Sequence, residues 1–312
     1  MSTILLENSL YCFDMIELES GDILSLCGNF NGPWYRGRLS LYPRAGATRI
    51  IKGVPYRKVS YETGYQIPAL RKLLDLPGEQ HFLVHRTQIT RIYKASGAFS
   101  GLSDENSEKC QLFIDFLYDS CRLGKNRHGL TGSGALRSIL PTSDFDWIVY
   151  SRDPNPVEAC ILSNDIFKRE LTFNMEHVYR KYAVFTKLSH KDLDALFSDR
   201  WKYFWFQGIH VSMSFVDPTL RADNLLGSFR LGDRVTLQGV IIDSVGCYHM
   251  PHIIPVDCGS KNYLIFTWLF LYNGAFKTGN AIEFSGRECV AGDEKYILVE
   301  EPQDYIRKLA DQ

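Results

Sequence analysis

The sequence lacks any apolar run long enough to cross a membrane as a helix. The longest candidate, Tyr263–Tyr272, has ten residues, whereas a membrane-spanning helix needs roughly 20. The first residues also lack the basic-then-apolar layout of a secretion signal. These two absences exclude a helical membrane anchor of ordinary length and predict a cytoplasmic protein with no membrane partner.

The cysteines lack the close spacing of a metal or redox motif. Eight cysteines are scattered along the chain without a Cys-x-x-Cys pair, which predicts reduced, mostly buried thiols. A zinc site made of four residues is the alternative reading of one segment: Cys247, His249, His252 and Cys258. Their spacing fits no standard zinc module, so coincidence in a β-rich segment is the interpretation that we favour.

Acidic residues are missing between Asp22 and Glu62. Seven basic residues lie in that interval: Arg36, Arg38, Arg44, Arg49, Lys52, Arg57 and Lys58. Four aromatic residues lie among them: Trp34, Tyr35, Tyr42 and Tyr56. Positive charge with stacking faces suits single-stranded RNA or another nucleic acid along residues 34–58. Two alternatives remain: a solvated basic face with buried aromatics behind it, or a basic patch that covers an acidic domain.

Length and composition indicate a multi-domain globular protein. The chain has 312 residues, of which 45% are hydrophobic and 23% are charged, as in ordinary globular proteins. The stretch 95–106 is rich in Ser, Gly and Ala, which favours a boundary there. We predict a β-rich domain over 1–100, a central domain over 101–225 and a barrel-like β-rich domain over 226–312.

Local patterns predict the main elements. Strands are expected at Ile23–Leu26, Leu39–Tyr42, Gln207–Asp217, Arg234–Ile242 and Ile282–Gly286, where apolar residues alternate or cluster between turn residues. Helices are expected at Pro68–Leu74, Cys110–Leu123, Gly134–Ile139 and His190–Phe204, and further helices from Pro154 to Arg180. The segment 226–312 holds eight basic and eleven acidic residues, so it is the weaker candidate for a nucleic-acid surface.

The stretch His128–Tyr150 carries the strongest chemical signal. Asp144 and Asp146 stand two residues apart in an apolar run, so both side chains project from the same face of a strand. Paired carboxylates repel each other unless a cation neutralises them, and oxygen ligands suit Mg²⁺ bound to phosphates. The turn Thr131-Gly132-Ser133 would place a hydroxyl and backbone N–H groups at a helix N-terminus, which favours anions.

A bland reading of the same residues is that Ser143 and Asp144 cap a turn while Asp146 is solvated on an edge strand. Asp146 argues against that reading, because it lies between Phe145 and the apolar run Trp147–Tyr150, where an unpartnered carboxylate is costly.

The Gly-Ser turn, followed after eleven positions by Asp144-x-Asp146, resembles the signature of the nucleotidyltransferase superfamily that includes DNA polymerase β. The whole chain resembles more closely an uncharacterised prokaryotic family of predicted nucleotidyltransferases. The resemblance implies an α+β fold with a mixed-sheet, polymerase β-like core between two β-rich domains. It implies that Asp144 and Asp146 bind Mg²⁺ or Mn²⁺, and that Thr131, Gly132 and Ser133, with Arg137 beside them, hold a nucleoside triphosphate.

The chain departs from that superfamily at the third carboxylate. The superfamily carries it on the neighbouring strand, where it completes the metal site or activates the attacking hydroxyl. Here the strand interior has no acid, and Asp217 at its end is the only nearby candidate. We therefore assign Asp217 as the third catalytic acid and expect its strand to pair beside the Asp144 strand.

These residues predict a metal-dependent enzyme that transfers a nucleoside monophosphate from a nucleoside triphosphate to an acceptor hydroxyl, releasing pyrophosphate. The acceptor would be a nucleic acid, a small molecule or a protein. The rival prediction is a catalytically silent protein of the same fold that binds nucleotide or nucleic acid.

Overall fold

The structure is a computed structural model, which describes residues 9–59, 64–68, 70–76, 79–99, 102–139, 143–169, 175–182, 187–198, 201–226, 230–291 and 294–309. The protein is an α+β protein built mostly from β-sheet, and its described residues form three sheets that follow one another along the chain. None of the helices in these ranges is both long and apolar enough to span a membrane.

The first sheet has eight strands. They are β1 Met15–Leu18, β2 Ile23–Leu26, β3 Trp34–Pro43, β4 Arg49–Ile51, β5 Val54–Lys58, β6 Arg71–Leu76, β7 Glu79–His85 and β8 Ile89–Tyr93. The long strand β3 is the centre, because it pairs antiparallel with β2, β5 and β7. The strand predicted at Ile23–Leu26 coincides with β2, and the one predicted at Leu39–Tyr42 lies within β3.

The helix predicted at Pro68–Leu74 is wrong, because β6 covers most of that segment and pairs antiparallel with β7. Leu74 and Leu76 are buried while Asp75 between them is exposed. That alternation has the period of a strand. The adjacent leucines at positions 73 and 74 concealed it, because they also fit a short helical face.

The central sheet has five strands in the order β11-β12-β13-β10-β9. Its elements are α1 Asp104–Cys121, β9 His128–Leu130, α2 Gly132–Ala135, β10 Phe145–Tyr150, α3 Asn155–Ser163, β11 Lys168–Arg169, α4 Met175–Tyr182, α5 His190–Ser198, β12 Tyr203–Phe206 and β13 Ile209–Val216. Among the strand pairs that the described residues form in this sheet, β10 and β13 run parallel and the others run antiparallel. The predicted helix His190–Phe204 ends early, at Ser198, and its last residues belong to β12.

Helix α1 lies against this sheet through Phe113 and Leu117, which are buried. It begins after Ser103, whose hydroxyl accepts the Asn106 N–H at 3.4 Å, and acidic residues occupy its first turn, as expected at the positive end of a helix. Its last residue, Cys121, forms a disulfide with Cys160 of α3. The expectation of reduced thiols is therefore wrong for this pair, while the other six cysteines are free.

The third sheet closes into a barrel. Its strands are β14 Arg230–Ile241, β15 His252–Asp257, β16 Asn262–Thr267, β17 Ala281–Ala291, β18 Glu294–Leu298 and β19 Tyr305–Lys308. The order β14-β15-β16-β18-β17 returns to β14, with β16 and β18 parallel, and β19 adds to β17 outside the ring. A closed ring leaves no exposed sheet edge among its five strands.

The three sheets share hydrophobic cores. One cluster joins Phe30 and Tyr35 of the first sheet with Ile148 of β10 and with Phe266 and Trp268 of the barrel. A second cluster places Met15, Leu41 and Tyr56 of the first sheet with the other face of β10. Strand β10 is therefore enclosed on both sides, and its start, where the two acidic residues lie, opens between the first and central sheets.

Candidate functional site

The Asp144-Asp146 pair lies at the start of β10, where the strand meets β13. The parallel register places Asp146 opposite Ser212, whose hydroxyl donates a hydrogen bond to the Asp146 carboxylate. Phe145 and Trp147 are buried on the opposite face, while Asp146 is half-buried. The alternation predicted from the sequence is thus what separates the two carboxylates from the core.

The Gly132 turn packs directly against the second carboxylate. Gly132 has a φ of +57°, a region that side chains other than glycine disfavour. A Cβ atom at Gly132 would overlap Oδ2 of Asp146, so the position needs glycine for space as well as for conformation. The Thr131 N–H donates to the Asp146 carbonyl at 2.9 Å, which fixes the turn to β10.

Three cations from the first sheet face the same site. Arg38 of β3, Arg49 of β4 and Lys58 of β5 line one pocket with the carboxylate pair and with the residues of the turn. Arg49 donates from Nη1 to the Ser138 hydroxyl at 3.2 Å. The pocket thus brings two acids and three bases together, although about 90 residues separate the two groups along the chain.

The pocket has a volume of about 290 Å³, close to the lower end of the range for small-molecule sites. Its lining contains Phe13, Met15, Ser25, Arg38, Ser40, Leu41, Arg49, Lys58, Thr131, Gly132, Ser133, Leu136, Ser143, Asp144, Asp146, Tyr203, Ser212, Ser214 and Phe270. All three sheets contribute, since Phe270 follows the barrel strand β16.

Burial and, to a smaller extent, the neighbouring Asp144 carboxylate together raise the pKa of Asp146 to about 7. Lys58, Arg38 and the Ser212 hydrogen bond act in the opposite direction but do not cancel these effects. A carboxylate whose charged form is disfavoured in this way gains most from an added cation. The donor set therefore fits a divalent metal ion that shares its charge with phosphate oxygens.

The metal would have to take its remaining ligands from substrate or water. Within the described ranges, no group of three or more His, Cys, Asp or Glu side chains is arranged to hold a metal ion by itself. Two carboxylates leave most of the coordination sphere open, which is the usual arrangement for Mg²⁺ that binds substrate phosphates.

A buried charge network holds Arg38 in the pocket wall. Its Nη1 lies 3.6 Å from Oε1 of Glu79. Oε2 of Glu79 accepts a hydrogen bond from Nε2 of His81 at 3.2 Å, and Nδ1 of His81 accepts one from Arg36 at 3.0 Å. Arg36 in turn pairs with Glu300 at 2.8 Å.

This network sets the charge state of its members. Burial, partly offset by Glu79, lowers the pKa of His81 to about 4, so the ring is neutral at neutral pH. The pKa of Glu79 falls to about 2, because Arg38 and the His81 hydrogen bond outweigh the opposing effect of burial.

Asp217 does not join the carboxylate pair. The predicted pairing of its strand beside β10 is confirmed, but Asp217 follows Val216, which pairs with Tyr150 at the far end of β10. It lies five residues beyond Ser212, or roughly 16 Å along a strand. Its Oδ1 accepts hydrogen bonds from the Thr219 N–H at 2.8 Å and from the Thr219 hydroxyl at 2.6 Å, so it serves the turn after β13.

The positions on β13 that face the pocket carry serines. Ser212 and Ser214 line it, and its described lining holds no acid besides Asp144 and Asp146. The alternation of β13 is visible in the sequence, but the register between β13 and β10 is not. The assignment of Asp217 as the third acid is wrong because that register places the end of β13 far from the carboxylate pair.

Arg137 also lies outside the pocket. It is exposed, has a φ of +52°, and lines a separate groove of about 460 Å³ with Lys52, Arg91 and Lys94. The helix predicted at Gly134–Ile139 ends at Ala135. Arg137 therefore does not occupy the position, one helical turn after Ser133, that the prediction assumed. The remaining residues assigned to nucleotide binding, Thr131, Gly132 and Ser133, do line the pocket.

Thr131 has a structural partner as well. Its hydroxyl donates to the Phe13 carbonyl at 2.7 Å, which joins the turn to the first sheet. Among the described contacts, Gly132 and Ser133 make no comparable hydrogen bond to the first sheet.

The basic interval divides into separate roles. Arg36 is buried, with its guanidinium 4.6 Å from the centre of the Trp268 ring, so it joins the first sheet to the barrel. Tyr35, Tyr42 and Tyr56 are buried, whereas Trp34 is 46% exposed. Most of the stacking faces predicted for nucleic acid are thus used by the core.

The four residues considered as zinc ligands have other environments. The His249 Nε2 donates to the Arg152 carbonyl at 2.8 Å. His252 is fully buried, and burial lowers its pKa to about 3. Cys247 is buried and Cys258 is half-exposed, and among the described residues these four are not grouped so that three or more could hold a metal ion.

Sequence reasoning missed several lining residues. Phe13, Met15, Ser25, Ser40, Tyr203 and Phe270 come from elements far apart in the chain, and no local motif marks them. The one available signal for the first sheet was the run of basic residues without acids.

Comparison of the chain with protein-family models, with curated proteins and with solved structures finds no match.

Proposed function

We propose that the pocket binds a nucleoside triphosphate together with Mg²⁺, and that the central sheet is a nucleotidyltransferase-type core. The observation that carries the proposal is the convergence of Asp144 and Asp146, the Gly132-Ser133 turn and three cations on one pocket of about 290 Å³. Carboxylates alone would repel a triphosphate. A pocket that bound phosphate through cations alone would have no use for two adjacent carboxylates. Together, the carboxylates and the cations match a phosphate chain with a bound divalent ion.

Each group has a defined part in this proposal. Asp144 and Asp146 would hold the metal, which supplies charge neutralisation at the phosphate oxygens. Arg38, Arg49 and Lys58 would balance the remaining negative charge of the triphosphate. Gly132 allows the close approach of the turn to Asp146, and the volume suits the triphosphate and sugar better than a whole nucleotide with an enclosed base.

Binding without transfer is the form of this function that the geometry supports best. Activation of an acceptor hydroxyl needs a group within hydrogen-bonding reach, about 3 Å, and Ser212 and Ser214 occupy the pocket-facing positions of β13. A neutral serine hydroxyl is a poor proton acceptor. The position of Asp217 therefore weighs against the two-metal mechanism.

Nucleotidyl transfer is the second candidate, and the intact carboxylate pair favours it. The reaction would move a nucleoside monophosphate from the triphosphate to an acceptor hydroxyl and release pyrophosphate. Asp144 and Asp146 are the residues that such a reaction uses first.

The test measures thermal stabilisation by each nucleoside triphosphate with Mg²⁺, in the wild type and in Asp144→Asn and Asp146→Asn. We expect the wild type to gain about 2.7 kcal/mol at a ligand concentration 100 times Kd, and the variants to gain little. Equal stabilisation of all three proteins would contradict the proposal.

The same proteins, incubated with labelled nucleoside triphosphate and total RNA, separate the two candidates. Label transfer by the wild type that Asp144→Asn abolishes would establish the enzyme. Asp217→Asn is the matched control. Because Asp217 lies away from the pocket, this variant should bind nucleotide like the wild type. If the wild type transfers label, the variant should transfer it equally well.

A further inference from the structure

A cationic groove continues outward from the pocket over the first sheet. It has a volume of about 460 Å³ and is formed by the turn between β3 and β4 and by the end of β5. The lining consists of Arg44, Ala45, Gly46, Ala47, Thr48, Arg49, Tyr56, Arg57 and Lys58.

The groove and the pocket share two residues, Arg49 and Lys58. Both shared residues are cations, so positive charge is continuous from the groove to the edge of the carboxylate pair. Arg44 and Arg57 extend it outward, and both are exposed. A flexible polyanion that lies in the groove would therefore have its end directed towards Asp144 and Asp146.

The groove has positive charge without acidic side chains in its lining. Four cations in one groove attract a chain of regularly spaced negative charges, because each contact releases counterions. The lining offers no exposed aromatic ring, since Tyr56 is only 4% exposed. Contacts to phosphates without stacking predict binding that tolerates any base sequence.

A neighbouring groove is a weaker candidate. It also has about 460 Å³ and four cations. It shares only the apolar Leu136 with the pocket, so its positive charge is not continuous with the site.

We propose that the groove lined by Arg44, Arg49, Arg57 and Lys58 binds the phosphate backbone of single-stranded nucleic acid whose end reaches the pocket. A strand is favoured over an acidic peptide because its charges repeat at every residue and because nucleic acid offers a terminal hydroxyl next to the triphosphate. The volume accommodates one or two nucleotides, whereas a paired duplex would remain outside. The direction of the strand rests on the proposed function, but binding in the groove does not.

The test compares the wild type with the double variant Arg44→Gln/Arg57→Gln in binding a labelled oligouridylate between about 50 and about 200 mM salt. These two arginines lie outside the pocket, so the nucleotide site keeps its own cations. Loss of two phosphate contacts should reduce the slope of log affinity against log salt by about 1.4 and weaken binding about 25-fold near 0.1 M salt.

The control variant Lys52→Gln/Arg137→Gln has the same charge change in the neighbouring groove and should keep the wild-type slope. Equal losses in both double variants, or no loss in the first, would overturn the proposal. Displacement of the RNA by polyglutamate at equal charge concentration would also overturn it, in favour of an acidic protein partner.

Thermal stabilisation by nucleoside triphosphate and Mg²⁺ keeps the two proposals distinguishable. If Arg44→Gln/Arg57→Gln retains it while losing RNA, both proposals stand. If RNA binds the groove but no triphosphate stabilises the wild type, only the proposed function fails. If triphosphate stabilises the wild type and the oligouridylate does not bind, only the groove proposal fails.

Discussion

The pKa of Asp146 reflects both the burial of the site and the charges around it. Burial and Asp144 raise the pKa of Asp146 to about 7, although Lys58 and Arg38 act in the opposite direction. An unfolded aspartate has a pKa near 3.9. The folded protein therefore binds this proton more tightly than the unfolded chain does. The resulting stability is present below about pH 4 and is lost as the pH rises through about 7.

This difference gives a prediction for the protein without metal. Between about pH 4 and 7, the wild type should lose stability relative to Asp146→Asn as the pH rises, because the variant carries no titrating group there. Calorimetric melting temperatures across this range measure the effect. Asp165→Asn, at an exposed position, is the control and should follow the wild type.

The same proton affects metal binding in the opposite direction. Below about pH 7, Mg²⁺ must displace it, so affinity for Mg²⁺ with nucleotide should rise by about tenfold for each pH unit. An affinity that is independent of pH in that range would remove Asp146 from the metal site.

At the scale of the element, β3 connects the pocket to the barrel. Arg36 and Arg38 stand two residues apart and project from the same face, and the barrel covers that face. Arg36 reaches Glu300, while Arg38 lies 4.8 Å from the centre of the Phe270 ring. A strand that reads as a basic surface in the sequence is thus an internal, charge-paired strand.

Glu79 of β7 is the residue that we expect to stabilise this arrangement. Glu79→Gln keeps the size of the side chain but removes the negative charge between Arg38 and His81. Leaving the partly buried Arg38 without its carboxylate partner should reduce the free energy of unfolding by about 3 kcal/mol, and the displaced Arg38 should bind triphosphate more weakly. Urea unfolding and nucleotide titration measure the two effects.

Glu105→Gln provides the comparison, because Glu105 pairs with Lys109 on the exposed side of α1 and this variant should lose little stability. A loss of stability in Glu79→Gln no larger than in this control would show that the network does not stabilise β3.

At the scale of the whole molecule, the three sheets depend on one another. Phe30 and Tyr35 share a core with Phe266 and Trp268 of the barrel, and the pocket takes Phe270 from the segment after β16. The boundaries expected near residues 100 and 225 fall between sheets, but they do not separate independent cores.

We therefore predict that residues 1–226 alone do not unfold cooperatively. Removing the barrel exposes the apolar side chains that it covers and leaves Arg36 without Glu300. Circular dichroism during urea titration checks this, with the full chain as the reference. A sharp transition in the fragment at the midpoint of the full chain would contradict it.

Features that depend on short spacings could be predicted from the amino-acid sequence. The period of two in β10 placed Asp144 and Asp146 on one face, and the Gly-Ser turn beside them follows from the same stretch, because neighbours within a strand or turn are fixed by covalent geometry. Strands β2 and β13 and the barrel-like character of the last segment were predicted from alternation in the same way.

The distant residues that meet at the site are brought together by packing and strand pairing. These interactions bring Arg38, Arg49 and Lys58 to the carboxylates, bury Arg36, and place Ser212 instead of Asp217 opposite Asp146. Register between strands and packing between sheets arise from the fit of whole faces, which no local pattern in one chain encodes. The residues of the site that could be read from the sequence are therefore those of one turn and one strand.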